Sequence, residues 1–429
     1  AWEGETAQNC ISTVTLFSRT NDHGQIPSYT IGSCKKNVCN GTSNNNHIDS
    51  LGVDAKHQQE FSWLSSRLIA GFYFDATANP YVSDNLRITR DPVTGRYIRY
   101  VLANTTNPLG VRDYQADITN TAGFVQWEFS PLMKMRTVVG GRFDSILYDF
   151  KNNLAPAGST NFGAPNESRS FSQFSPKIGA TYALTNSASV YTNFSEGFTP
   201  PEVSQLYGKT GIPDLKSATY NNYEVGLRMD FLNGALRLDS ALYRLEGRET
   251  IVSYTITPGN SENRNAGQTR SQGLELGLNY DGGAFDMRVG TTIASHRFLK
   301  YQVSRTLDYS DKEMPQAPSD ITTFEVGYKP VQRARVALEL VHQGEYWMNN
   351  ANTVQYPGQL LVNFRGSYKF TKGWEVWLQA LNLTGKHYAD SASSTYSGVG
   401  IYSPNTQNQY TPGAPRNVML GLGYTFDAE

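Results

Sequence analysis

Apolar and polar residues alternate along many segments of this chain. In the segment 223–231, every odd position is apolar and every even position is charged or glycine. The segments 274–280, 335–340 and 360–370 show the same period of two, which is the side-chain period of a β-strand. The pattern predicts an all-β protein whose strands have one apolar face and one polar face.

Short turns and long polar segments follow one another regularly. The short turns are at 130–131, 185–187, 232–234, 281–283, 331–332 and 371–373. The long segments are rich in Asn, Ser, Thr, Gly and Pro, and they occupy about 21–46, 82–116, 151–170, 198–216, 250–264, 299–315, 347–357 and 387–412. Short turns at one end and long loops at the other are typical of bacterial outer-membrane barrels. The predicted fold class is a transmembrane antiparallel β-barrel with about sixteen strands in residues 1–429.

The composition fits this prediction and excludes other classes. Charged residues make up 17% of the 429 residues and aromatic residues 12%, while the mean hydropathy is −0.46. No run approaches the ~18 apolar residues of a membrane helix. The net charge of −1 gives no indication of a nucleic-acid partner. Aromatic residues are abundant because, in such a barrel, their rings suit the two membrane interfaces.

The chain has three cysteines, and two of them stand close together. Cys34 and Cys39 flank a short polar segment, which favours a small disulfide loop. A metal clip is the alternative, but His47 is the only histidine close downstream. The sequence shows no leader peptide, so we expect it to be processed or truncated.

No catalytic signature is present in the sequence. It contains no Gly-x-Ser-x-Gly, no His-Glu-x-x-His and no phosphate-binding loop. Its six histidines are spread along the chain. We therefore expect no enzymatic activity, no resident cofactor and no metal site.

Several motifs in the second half resemble those of TonB-dependent outer-membrane receptors of the siderophore type. They follow the family's order and lie at 193–208 (NFSEGFTPP and QLYG), 265–276 (NAGQTRSQGLEL), 315–318 (PQAP), 382–388 (NLTGKHY) and 412–416 (PGAPR). Residues 1–190 fit by alternation alone. Loop entry and strand anchoring explain these motifs better than ligand contact does.

The resemblance implies a 22-stranded barrel filled by an N-terminal plug with a TonB box. Residues 1–429 show no plug-like segment, so we expect them to be the C-terminal part of the barrel. The implied partners are the TonB-ExbB-ExbD complex, outer-membrane lipid and lipopolysaccharide, and the barrel is expected to be a monomer in the bacterial outer membrane.

The function implied by the resemblance is active import of a ferric siderophore complex. Haem, cobalamin, other metal chelates and oligosaccharides are alternative ligands, and an adhesin or phage-receptor barrel is a further possibility. A passive porin of about 16–18 strands is the main alternative mechanism. Uptake that depends on proton-motive force distinguishes the importer from the porin.

Candidate ligand-binding residues combine cations with aromatic rings, which suit bulky, oxygen-rich anions. One set lies in a single polar segment: Arg87, Arg90, Arg96, Tyr97, Arg99 and Tyr100. Its alternatives are an extended strand whose arginines meet lipopolysaccharide phosphates, and an ordinary solvated loop. Tyr346 and Trp347 are a second candidate, with an aromatic girdle as the alternative role.

Overall fold

The computed structural model describes residues 2–7, 9–27, 34–103, 112–154, 163–208, 211–257, 260–370, 373–395 and 407–426. Nearly all of them are in strands. The strands of the first half are β1 Trp2–Ala7, β2 Cys10–Gln25, β3 Cys34–Lys35, β4 Val38–Phe61, β5 Ser66–Ala78, β6 Pro80–Arg90, β7 Tyr97–Leu102, β8 Arg112–Leu132, β9 Met135–Asn152, β10 Glu167–Ala183 and β11 Ala188–Thr199. Those of the second half are β12 Ala218–Phe231, β13 Leu236–Thr257, β14 Asn260–Asp281, β15 Phe285–Lys300, β16 Asp320–Val331, β17 Ala334–Gln343, β18 Tyr346–Trp347, β19 Gln355–Tyr356, β20 Gln359–Lys369, β21 Trp374–Leu381, β22 Ala389–Ser394, β23 Asn408–Pro412 and β24 Asn417–Tyr424.

The main sheet is an antiparallel wall of sequential neighbours. Its ladder runs from β1 through β2, β4, β5, β8 and then strand by strand to β17, β20, β21 and β24. Within the described residues, no ladder joins β1 to β24. This sequential antiparallel order is the barrel-type order predicted from the alternation.

The sheet contains 20 strands in the described residues, compared with about sixteen predicted from the sequence. Short elements account for the difference. Strands β5 and β6 pair with consecutive stretches of β4 and act as one strand interrupted at Asn79. Strands β3 and β7 belong only to a hairpin above the wall, and β1 is six residues long.

Apolar side chains cover the outer face of the wall. Leu16, Leu242 and Leu420 are 73%, 62% and 74% exposed although they lie in long regular strands. In water such exposure would be costly, because each buried leucine gains roughly 1.5–3 kcal/mol from leaving water. Aromatic residues on this face lie next to the short turns: Tyr182, Phe231, Tyr328, Tyr368, Trp374 and Tyr424. This surface is that of a strand wall in contact with lipid.

The opposite face carries charged residues that pair with each other. Glu128 accepts hydrogen bonds from Arg67 and Arg136, at 2.6 Å and 3.1 Å. On neighbouring strands, Arg365 pairs with Glu339 at 3.0 Å. Pairing between adjacent strands offsets the cost of placing charges on this half-buried inner face.

The strands are longer than a membrane crossing requires. Strand β4 has 24 residues, and β13 and β14 have 22 each, whereas a tilted membrane strand needs about 9–11. The short turns close the lower ends, with Asn233 and Gly234 at positive φ in the turn predicted at 232–234. The turn predicted at 371–373 lies mostly outside the described residues. The upper ends of the strands therefore project beyond the lipid.

Several segments predicted as loops contain regular structure. The segment 82–116 includes most of β6, all of β7 and the start of β8. The segment 198–216 contains a short helix, α1 Val203–Tyr207. Strands β18, β19, β22 and β23 lie in two other predicted loops. None of the described helices is long and apolar enough to span a membrane.

Candidate functional site

A disulfide-closed hairpin stands at the top of the wall. Cys34 and Cys39 form a disulfide across the turn between β3 and β4. Cys39 pairs with Ile88 of β6, and both side chains are fully buried with Leu86 in a small core. This core fixes the register of β4, β6 and β7, which together form the cationic hairpin (residues 34–40 and 86–102).

Most of the arginine and tyrosine residues predicted to bind ligand lie on this hairpin and are exposed. Thr89 pairs directly with Arg99 on β7, and Arg87 lies diagonally beside Arg99 on the same face. Within the described residues, neither arginine has a carboxylate at ion-pair distance. Two such cations on one face form an attractive site for an anion.

The hairpin also contains cations that the sequence reasoning missed. Lys35 and Lys36 lie in the disulfide loop, are exposed, and are close along β4 to the residues that pair with β6. The Cys-Lys-Lys-Asn-Val-Cys spacing identified the loop, but only the β4–β6 register shows that it joins the arginines. The basic character of the hairpin is therefore greater than the sequence indicated.

One of the predicted cations also stabilises the turn of the hairpin. Arg90 Nε donates to the Gly95 carbonyl at 2.8 Å and so closes the β6–β7 turn. Asp91 accepts from the backbone N–H groups of Thr94 and Val93, which lowers its pKa. Arg90 and Asp91 thus shape the turn, while Arg96, Tyr97 and Tyr100 remain exposed around it.

Aromatic rings cover the same face of the wall below the hairpin. Tyr81 of β6 stacks on Tyr114, which contacts Phe150, which in turn stacks on Tyr207 at 4.1 Å between ring centroids. Tyr148 joins the same core and is buried. Tyr81 and Arg87 have the same side-chain parity on β6, about 20 Å apart at 3.3 Å per residue. Aromatic and cationic groups therefore follow one face.

The helix α1 is part of this aromatic core. Leu206 and Tyr207 are buried against β9 and β10. The loop is held by two asparagines of β14: Asn263 donates to the Gln205 carbonyl, and Asn265 exchanges two hydrogen bonds with the Lys216 backbone. Gln205 of the motif at 193–208 and Asn265 of the motif at 265–276 thus each help to anchor this loop on the inner wall.

A cleft of about 420 Å³ opens beside this loop. Arg169 on β10 lines it and donates to the Pro213 carbonyl at 2.9 Å. Lys216, Asp214 and Glu249 complete its charged lining. No sequence motif indicates this cleft, because its residues come from three distant segments.

Tyr346 and Trp347 do not form an exposed pair at a strand end. Tyr346 is 4% exposed, and its hydroxyl accepts from the Ala392 N–H in a small loop core. Trp347 donates through Nε1 to Glu313 at 3.0 Å. Tyr346 is therefore inaccessible in this arrangement, and Trp347 is half-buried.

The motifs at 382–388 and 412–416 also contact each other. Asn382 donates to the carbonyls of Lys386 and Ala414, and the Ala414 N–H donates to the Tyr388 hydroxyl. These bonds join the two ends of one long loop above β21 and β24. Among the residues that the structure describes, no group of His, Cys, Asp or Glu side chains suits a metal ion.

An antiparallel wall with a lipid-compatible outer face, a charged inner face and long upper loops defines the class of outer-membrane β-barrel receptors and transporters. Within that class, the family model described as "TonB dependent receptor-like, beta-barrel" matches residues 3–383. The chain belongs to this family, whose members are receptors and transporters of the bacterial outer membrane.

Two curated relatives show how far the sequence likeness extends. The TonB-dependent siderophore receptor PiuA of Acinetobacter baumannii is 24% identical over 302 residues, which cover 66% of this chain and 39% of that protein. The ferric-pyoverdine 358 receptor of Pseudomonas putida is 24% identical over 410 residues, covering 87% and 44%. The chain thus spans less than half the length of these relatives.

Solved structures show the same fold. The crystal structure of PiuA from Acinetobacter baumannii matches with a TM-score of 0.70 at 18% identity, covering 98% of this chain and 63% of that one. The unliganded ferric citrate transporter FecA matches with a TM-score of 0.72 at 18% identity, covering 98% and 59%. At this identity, the likeness establishes the barrel fold and not the ligand.

Proposed function

We propose that this chain is the C-terminal barrel part of a receptor that imports a ferric siderophore complex across the outer membrane. The observation that carries the proposal is the family match over residues 3–383 together with relatives named as siderophore receptors. The relatives are more than twice as long as the stretches matched here. A plug within the full receptor and energy from TonB-ExbB-ExbD complete the proposal.

The inner wall supports a role as housing for a plug. Arg335 donates hydrogen bonds to Glu325 at 2.6 Å and to Asp286. Arg365 on β20 donates a hydrogen bond to Glu339 on the adjacent strand β17. These charges lie on the inner face, in the lower part of the wall near the short turns. A polar plug surface can exchange hydrogen bonds with such a wall and be released from it without exposing apolar area.

We propose that the ligand first meets the cationic hairpin and then the aromatic face beneath it. Arg87, Arg96 and Arg99 supply charge for an oxygen-rich anion, and Tyr97 and Tyr100 supply exposed rings. Trp347 is a weaker candidate, and Tyr346 would contribute only after its loop opens. The receptor is proposed to act as a monomer.

A binding measurement tests the hairpin. In the full receptor, the triple variant R87Q/R96Q/R99Q should bind an anionic ferric siderophore about tenfold or more weakly, because losing even one charge-assisted hydrogen bond costs about 1.5 kcal/mol. The triple variant R244Q/R248Q/K300Q, with the same change in charge, is the matched control and should bind normally. Equal affinity for both variants and the wild type would remove the hairpin from the site.

An uptake measurement tests the mechanism. Cells that produce the full receptor should accumulate the labelled ferric complex only while proton-motive force is intact, and a protonophore should abolish accumulation. The porin alternative predicts uptake unaffected by the protonophore and a stable conductance in planar bilayers.

A further inference from the structure

The long loops in the second half of the chain are fastened to one another in sequence order. Five of them, named here the linked loops, are the described parts of residues 200–217, 249–267, 301–319, 344–358 and 382–395. Between the first and the second, Asn263 donates to the Gln205 carbonyl at 2.9 Å. Between the second and the third, the Thr255 N–H donates to the Val303 carbonyl at 2.7 Å. Each of these loops therefore depends on a neighbour for part of its order.

Asn352 joins loop 301–319 to loop 344–358. Its side-chain oxygen accepts from the Glu313 N–H at 2.8 Å, and its side-chain nitrogen donates to the Glu313 carbonyl at 2.9 Å. It thus pairs with both backbone groups of Glu313, as the backbone of an adjacent strand would. The Glu313 carboxylate in turn accepts from Trp347 Nε1 at 3.0 Å. Asn352 has a φ of +54°, which asparagine adopts more readily than most residues, so this residue type suits both the backbone and the link.

The last link is a small core shared by loops 344–358 and 382–395. Its buried members come from both loops: Tyr346, Met348, Tyr356, Ala389 and Ala392. The Tyr346 hydroxyl accepts from the Ala392 N–H at 2.8 Å, and the Ser394 N–H donates to the Met348 carbonyl at 2.9 Å. Because the two loops make this core only together, separating them would expose apolar surface on both.

We propose that the linked loops open as one cooperative unit, so that this side of the barrel mouth is either closed throughout or open throughout. A loop that opened alone would leave its neighbours ordered but with fewer bonds. Opening those neighbours as well then costs little further free energy, which favours joint opening. The cationic hairpin is not a member of the unit, because a disulfide and a core of its own hold it. The proposal concerns the loops themselves and holds for any imported ligand.

Amide hydrogen exchange followed by mass spectrometry tests this proposal on the full receptor in mild detergent. The variant N352G tolerates the positive φ and removes the side-chain bonds to Glu313. Exchange should become about tenfold faster or more in all five linked loops, including the peptides around Gln205 and Ala392, because two or more hydrogen bonds of the closed unit are lost. Faster exchange confined to the surroundings of Glu313 and Asn352 would overturn the proposal. No ligand is added, so the result is independent of the proposed import function.

The matched control is N37G in the cationic hairpin. Asn37 also has a positive φ, of +62°, so the same residue change is made in a similar backbone conformation outside the linked loops. Exchange in the linked loops should remain as it is in the wild type. Equal acceleration of the linked loops by N37G would indicate general loosening of the barrel mouth and would contradict the assignment to one linked unit.

A second variant probes the far end of the unit and serves if N352G fails to fold, which heat-modifiable electrophoretic mobility reports. The variant N263A removes the donor to the Gln205 carbonyl. It should make exchange about threefold faster or more at residues 389–394 as well as around Gln205. Its control is N153A, which removes the bond from Asn153 to Asp113 at 2.7 Å and should act only near those two residues. Unchanged exchange at residues 389–394 in N263A would show that the loops open independently, and the proposal would be wrong.

Discussion

The membrane-spanning wall and the cationic hairpin use the same kind of strand in opposite ways. In the wall, leucines such as Leu242 are exposed to the outside while charges such as Glu128 are paired within. In the hairpin, Ile88 is fully buried while Arg87 and Arg99 are exposed. Alternation with a period of two is common to both regions.

The difference shows that the surroundings decide which face of an alternating strand is covered. Lipid accepts the apolar face of the wall directly, so the wall needs no apolar core on that side. Above the lipid the same exposure would be costly, and the hairpin buries its apolar residues in a small core closed by a disulfide. The charges then face water, where an anionic ligand can reach them.

The largest effect should come from placing a charge in the lipid-facing band. The variant L420R should destabilise the folded barrel by about 2–4 kcal/mol, because Leu420 lies between the exposed apolar residues Val418 and Leu422 on the outer face and arginine costs most near the midplane of the membrane. Urea titration of the barrel folded into lipid vesicles measures this change. The matched control is I98R in the hairpin, where Ile98 is 63% exposed. Equal destabilisation by both variants would contradict the contrast between lipid and water.

An intermediate effect should follow from removing the disulfide. The variant C34S/C39S should loosen the hairpin by about 2 kcal/mol, the chain-entropy contribution of so short a loop. Proteolysis around residues 34–40 should accelerate, and affinity for the ferric complex should fall. The unfolding midpoint of the wall should not change, because the loop lies outside the membrane-spanning ladder. A lowered midpoint would show that the hairpin and the wall unfold together.

The smallest effect concerns protonation at the base of the hairpin. Hydrogen bonds to Asp22 and then to Asp49 raise the pKa of His47 above 6.5. A raised folded-state pKa gives stability that is complete below 6.5 and is lost as pH rises through the higher value. Hydrogen exchange in β2 and β4, corrected for intrinsic rates, should therefore quicken with rising pH.

The matched variants for this measurement are H47Q and H23Q. His23 lies beside His47 in the ladder but on the other face. Only H47Q should abolish the extra pH dependence of protection. The same loss in H23Q would assign the effect to general electrostatics of the segment.

Much of the fold was predictable because period-two alternation depends only on local residue type. The segment 223–231 lies within β12, and the turn at 232–234 is where the sequence placed it. The segment 82–116 was harder to assign as strands. Polar residues of β6 and β7 face water on one side, and the small core on the other side consists only of Cys39, Leu86 and Ile88. Composition alone could not separate such a hairpin from a loop.

The candidate site was only partly predictable for a physical reason. The arginines of β6 and β7 are adjacent in sequence and were identified together. Lys35 and Lys36 reach them only through the long-range register of β4, and Arg169 meets Lys216 only because α1 folds back on the wall. The burial of Tyr346 could not be predicted, because a tyrosine at a strand end can lie equally in a loop core or at a surface.

The hydrogen-bonded contact between Asn382, Tyr388 and Ala414 has a consequence for evolution and engineering. It joins the two ends of one long loop to each other, while Ala389 and Ala392 inside that loop pack on Tyr346 and Tyr356. Loop-closure cost rises only slowly with length. Changes in this loop that keep its two ends and the contacts of Ala389 and Ala392 can therefore alter ligand preference without redesign of the strands that carry the loop.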